Sequence, residues 1–159
     1  MDRVGRPGRR AERVLAGLES LADVRDGGEI SELDHCLQVA TRAERAGADD
    51  EWILGALCHD IGKVFGDIGH PQMAADLLEP HVRPEVVAVV RHHAAFTAHH
   101  WDPSLVGERD PRLAFEGEAW YPLALTFVEE WDMESFDPHY DRQDLAHFAP
   151  LVRRLVTGS

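Results

Sequence analysis

Apolar positions recur along this chain with the three-to-four-residue spacing of helices. Val14, Leu15, Leu18, Leu21 and Ala22 predict a first helix over residues 10–24, followed by the polar loop RDGGE. Ser31 is the expected N-cap of a second helix. Asp34, three positions on, is an acidic variant of the capping box. Leu33, Leu37, Ala40 and Ala43 mark the buried stripe of that helix, which stops at Gly47. Asp49 or Asp50 caps a third helix, and its residues Trp52 to Cys58 are apolar nearly all round. A helix with no polar face is a buried one. Pro71 and Pro84 sit where a first helical turn tolerates proline, and open helices over 71–79 and 84–95. Residues 97–117, broken by Pro103, Gly107, Pro111 and Gly117, are expected to be irregular. Residues 120–134 return to helix, and a last helix covers 143–156 after the turn FDPHYD. No segment alternates as a strand does, so the expected fold is all-α, a helical bundle.

Length and composition narrow the class. A chain of 159 residues with 44% hydrophobic and 28% charged residues fits one globular domain. The expected division is a disordered basic tail over residues 1–9 and a single helical domain over 10–159. The tail holds Arg3, Arg6, Arg9 and Arg10 and is read as a frayed end, ahead of an anion-binding arm. A net charge of −13 argues against a nucleic-acid partner. No apolar stretch approaches a membrane span, and positions 1–20 lack the apolar centre of a signal peptide. A cytoplasmic location follows as an expectation. Cys36 and Cys58 fall in apolar helical patterns, as buried free thiols do. The oligomeric state is not legible.

The chemistry lies among ten histidines. In ALCHDIGK, residues 56–63, a His–Asp pair ends the buried third helix. A buried carboxylate needs a partner, and a metal ion is a common one. Imidazole and carboxylate together suit first-row divalent metals. Upstream stands His35 in LDHCLQ. Downstream stand His70 in DIGH, the pair His92-His93 in VVRHHAAF, and Asp132 in FVEEWDMESFD.

This order, H…HD…H…H…D, resembles the HD-domain metalloproteins over roughly residues 29–150. The resemblance implies an HD-type helical bundle whose site carries two metal ions. His35, His59 and Asp132 would hold one ion, His70 and His93 the other, and Asp60 would bridge them. His93 rather than His92 falls in register with the family's helix end. The stretch from LDHCLQ to HDIGK is similar, more finely, to the small HD oxygenases that cleave organophosphonates and to inositol oxygenases. Those enzymes use a mixed-valent diiron centre, Fe(II)/Fe(III), and O2. The lysine of the HDxGK segment contacts substrate in inositol oxygenases, which makes Lys63 a candidate substrate-binding and catalytic residue beside Asp60. Lys63 also has a plainer reading, as a cation at a helix C-terminus.

Departures from that pattern bear on the substrate. Phosphonate-cleaving relatives carry basic residues where this chain has Thr97-Ala98 and Glu129. Glu29 stands near the place of a lid residue ahead of the first histidine. Glu29 and Glu129 are therefore candidate substrate-binding residues for a small hydroxyl- or amino-bearing molecule. Three function classes remain in order: a diiron O2-dependent oxygenase, a metal-dependent phosphohydrolase acting on a nucleotide or phosphoester, and a non-catalytic metal-binding module.

Overall fold

The computed structural model describes residues 7–158, and residues 1–6 of the expected tail lie outside that range. Seven α-helices form an all-α bundle, with no strand among the described residues. They are α1 Pro7–Ser20, α2 Glu32–Arg45, α3 Asp50–Cys58, α4 His70–Leu78, α5 Pro84–Trp101, α6 Tyr121–Thr126 and α7 Leu145–Leu155. The first helix begins three residues before the expected start and ends in a 3₁₀ turn, Leu21–Asp23.

Local chemistry accounts for most boundaries. The Ser31 hydroxyl accepts from the Asp34 N–H at 3.1 Å and caps α2. Of the two aspartates offered for α3, Asp49 does the capping, accepting from the Trp52 N–H at 3.1 Å. Just beyond α2, Gly47 takes a φ of 80°, the left-handed turn that ends helices. Asp144 caps α7 by accepting from the His147 N–H.

Two elements differ from the sequence expectation. α5 does not stop at residue 95 but continues to Trp101, where the Asp102 N–H still reaches the Ala98 carbonyl at 2.9 Å. The remainder of 97–117 holds two 3₁₀ turns, Gly107–Arg109 and Pro111–Phe115. The expected helix over 120–134 is split. After α6, residues Phe127–Asp132 form a π-helical segment, and the Met133 N–H bonds to the Val128 carbonyl five residues back. Such widened turns are rare and gather at functional sites.

The core runs through the middle of every long helix. Leu18, Val39, Ala40, Leu54, Leu57, Val90, Phe96, Phe127 and Phe148 are buried together. α2 packs on α3, α4 on α5, and α1 on α7. His35 near the start of α2 meets His59 just past the end of α3, so these two helices run antiparallel. Burying apolar side chains of this size contributes roughly 1.5–3 kcal/mol each relative to exposure. That stabilisation offsets the cost of placing ionisable groups at the helix ends beneath them.

Candidate metal centre

Five elements bring the sequence-derived residues to one point. α2 supplies His35, the end of α3 supplies His59 and Asp60, α4 begins with His70, α5 carries His93, and the π-segment ends on Asp132. All but His70 are buried, at 0–4% exposure. In one half, His35 Nε2 lies 2.9 Å from Asp132 Oδ1 and 3.3 Å from His59 Nε2, and His59 Nε2 is 3.4 Å from Asp132 Oδ1. In the other, Asp60 Oδ1 lies 3.1 Å from His70 Nε2 and 3.3 Å from His93 Nε2. Asp60 joins the halves, because its Oδ2 stands 3.4 Å from His35 Nε2 and 3.2 Å from His59 Nε2.

Each ring is oriented by a main-chain carbonyl. Nδ1 of His35 donates to the Ser135 carbonyl at 2.9 Å and that of His59 to Ala56 at 2.7 Å. Nδ1 of His70 donates to Asp67 at 2.8 Å and that of His93 to Val90 at 2.6 Å. A carbonyl only accepts, so each Nδ1 carries its proton and each neutral ring turns the lone pair of Nε2 inward. Four lone pairs then face two carboxylates, and two of the nitrogens face each other. Acceptors so placed repel unless positive charge lies between them.

The ionisation of the cluster follows that demand. Burial opposes the charge of Asp60 and Asp132, yet the imidazoles, His59 foremost, hold both carboxyls well below the ordinary range. Burial likewise opposes protonation of the rings. The facing carboxylates outweigh it and push His35, His59 and His70 above the usual histidine range.

Protons can supply this charge in metal-free protein, and divalent cations fit it better. The donor separations match the edges of a coordination shell, roughly 3.0–3.5 Å for bonds of about 2.1 Å. Imidazole Nε2 with Nδ1–H held on a carbonyl is the usual arrangement of a ligating histidine. His35, His59 and Asp132 could hold one ion, and Asp60, His70 and His93 a second.

Gly62 sets the second half. A Cβ at this position would come within 2.8 Å of His70 Cα and of the His70 carbonyl oxygen. The 3₁₀ turn Ile61–Phe65 can pack on the start of α4 only without a side chain there. His92, the alternative to His93, faces away and stacks on Trp120 with ring centroids 5.4 Å apart.

A cavity of about 870 Å³ opens over the cluster. His35, Asp60, His70, His93 and Asp132 line its floor, and Trp101, Met133 and Phe136 line its apolar side. Phe136 stacks on His35 at 4.5 Å and covers that half of the cluster.

Lys63 also lines the cavity, but its ammonium is engaged. It bonds to Asp26 Oδ2 at 2.7 Å and Glu32 Oε1 at 3.2 Å and lies 3.6 Å from Asp60 Oδ2. The two acidic candidates stand elsewhere. Glu29 is exposed on the loop before α2 and is absent from the lining, and its carbonyl accepts from Arg25. Glu129 is also absent from the lining, because the π-segment turns it toward His99 and His100.

The glutamate that does line the cavity is Glu32, which sequence reasoning missed. It is 5% exposed, and its Oε2 is buried without a partner. Burial first, and then the neighbouring Asp60 charge, push its carboxyl up to about 7. It stands in the first turn of α2, where acidic residues are common, so nothing local singles it out. Only the facing Lys63, 31 positions away, marks it out.

Comparison with known proteins agrees with this geometry. An 80-residue alignment, covering 43% of this chain and 41% of the relative, is 34% identical to the 1-hydroxy-2-(trimethylamino)ethylphosphonate dioxygenase (glycine-betaine-forming) of Leisingera caerulea. The match thus spans about two-fifths of that relative's length. The HD domain family model matches residues 33–132, from the start of α2 to the last residue of the π-segment. Well over half of the chain is matched, the matched part contains all six clustered residues, and a divalent-metal site goes with it: the chain belongs to the HD domain family.

Proposed function

We propose that this HD metalloenzyme holds two irons, as Fe(II)/Fe(III), and uses O2 to oxidise or cleave a small molecule bearing a hydroxyl or amino group. The observation that carries the reading is the charge of the cavity. Asp26, Glu32, Asp60, Asp67 and Asp132 line it against Arg25 and Lys63. Lys63 is already taken up by carboxylates, and Arg25 lies on the exposed loop with one guanidinium nitrogen on the Glu29 carbonyl. Beyond His93 the α5 wall is Ala94, Thr97 and Ala98, with no cation. A phosphoester or phosphonate finds little there to clamp it apart from the metals. The similarity to a phosphonate dioxygenase supports the use of O2 and does not bear on the choice of substrate.

Redox chemistry with O2, and Lewis acidity toward a substrate oxygen or nitrogen, would come from the bound irons. The protein's own part is positioning. The four Nδ1–carbonyl bonds hold the rings in one orientation, so the ligand atoms are organised before substrate arrives. Glu32 lines the cavity and is the carboxylate placed to meet a substrate hydroxyl or ammonium. Lys63 keeps the Glu32 carboxylate in place and compensates its charge. Phe136 and Trp101 shed water from the His35 side of the cavity.

The test is O2 uptake by reduced, iron-loaded protein offered a panel of amino alcohols and polyols. Substrate-dependent uptake is the expected result. Phosphate release from a nucleotide panel with Mn(II) or Co(II), without any O2 demand, overturns the reading in favour of a phosphohydrolase.

A further inference from the structure

A second cluster of metal-binding side chains lies outside the centre described above, and no role has been given to it. His99 and His100 occupy the last turn of α5, and Glu129 projects toward them from the π-segment. His100 Nε2 lies 2.9 Å from both Glu129 oxygens, and His99 Nε2 lies 3.4 Å from Oε1. The two imidazole rings stand 4.0 Å apart between centroids. We propose that His99, His100 and Glu129 form a separate site for one zinc-class divalent cation.

The His99–Glu129 separation of 3.4 Å matches a shared ion, and the 2.9 Å between His100 and Glu129 is a hydrogen bond that an entering ion would lengthen. Ligands around a tetrahedral zinc with bonds of about 2.0–2.1 Å lie roughly 3.3–3.4 Å from one another. Two imidazoles and a carboxylate are the ligand set of open zinc sites, which leave a position to water. The local charge also suits a cation. The neighbouring Arg112 guanidinium is bound in a two-pronged pair by Asp110, with contacts of 2.6 and 3.0 Å, which offsets its repulsion. The C-terminus of α5 adds the negative end of a helix dipole.

An ion at this site would tie two walls of the cavity together. α5 contributes Thr97, Ala98 and Trp101 to the lining in the same turns that carry His99 and His100. The π-segment places Glu129 three residues before Asp132. The site is therefore a clamp between the rim of the cavity and the strand of backbone that delivers Asp132. It stands independently of the reaction proposed above, since neither its ligands nor its test involve O2 or substrate.

The experiment is zinc titration of iron-loaded protein, with zinc and iron both counted by elemental analysis after gel filtration. The wild type is expected to take up one equivalent of zinc with its iron undiminished, and to melt at a higher temperature with zinc than without. Glu129→Gln and His100→Ala are each expected to keep their iron, lose that equivalent, and show no zinc-dependent rise in Tm. Cobalt(II) in place of zinc should give the intense visible bands of a low-coordinate site in the wild type alone. No added equivalent in the wild type, zinc gained only as iron is lost, or an equivalent retained by both variants would each overturn the proposal. In the first case the cluster is no more than a hydrogen bond between His100 and Glu129.

Discussion

The buried centre and the rim cluster use the same two kinds of side chain to different ends. At the buried centre every histidine is fixed twice, by a main-chain carbonyl on Nδ1 and by the cluster on Nε2. At the rim, the ring nitrogens of His99 and His100 have Glu129 as their polar partner among the described residues, and His99 Nδ1 is buried with none. The difference teaches that a ligand set alone does not set affinity. Preorganisation by neighbouring carbonyls and close packing decides how much of the binding energy goes into ordering the ligands. The buried centre should accordingly bind tightly and respond sharply to small changes, and the rim site weakly and gradually.

Changes at the buried centre test this contrast in descending order. Asp60→Ala removes the carboxylate shared by both halves and is expected to release one or both metals. Unchanged metal stoichiometry by elemental analysis would show that Asp60 does not bridge. Gly62→Ala touches no ligand but forces the turn away from His70, at roughly 1–3 kcal/mol of strain. It is expected to weaken the Asp60–His70–His93 half by about 10–100-fold, the usual effect of disturbing a supporting contact. Metal titration that finds both halves unaltered would mean that the carbonyl anchors, and not this packing, hold His70. The smallest effect belongs to Cys36, whose thiol lies near His59 and Asp60. Burial, followed by the nearby Asp60 and Glu32 charges, pushes that thiol well above its ordinary range, so it stays protonated and is a poor ligand. Cys36→Ala should cost about 1 kcal/mol by thermal unfolding. It should leave the metal content as it was.

Local signals made much of this molecule legible before its structure. Ser31, Asp49, Pro71 and Pro84 mark helix starts through interactions within one turn, and the sequence displays them directly. The HD pair at the end of an apolar helix pointed to a buried site, and the resemblance to HD-domain metalloproteins supplied the more distant residues that join it. What stayed hidden depends on distant partners. The end of α5 carries His99-His100-Trp101, polar and bulky in place of apolar, so periodicity faded where the helix did not. Glu32 gains its meaning from Lys63, and His35 gains its orientation from the carbonyl of Ser135, 100 positions away. Glu29 and Glu129 were placed by position relative to the resemblance, which carries no information about the direction a side chain takes from a loop or a widened helical turn.

That widened turn makes backbone phase a coordinate of the metal centre. One residue along an α-helix corresponds to a rotation of about 100°. Rewinding the six residues Phe127–Asp132 as ordinary helix, without removing any, would add about one such rotation, because a π turn takes up roughly one residue more. All six clustered side chains would survive that change, yet Asp132 would swing away from His35 and His59. In this protein the spacing of the chain, as much as the identity of its residues, specifies where the last carboxylate arrives.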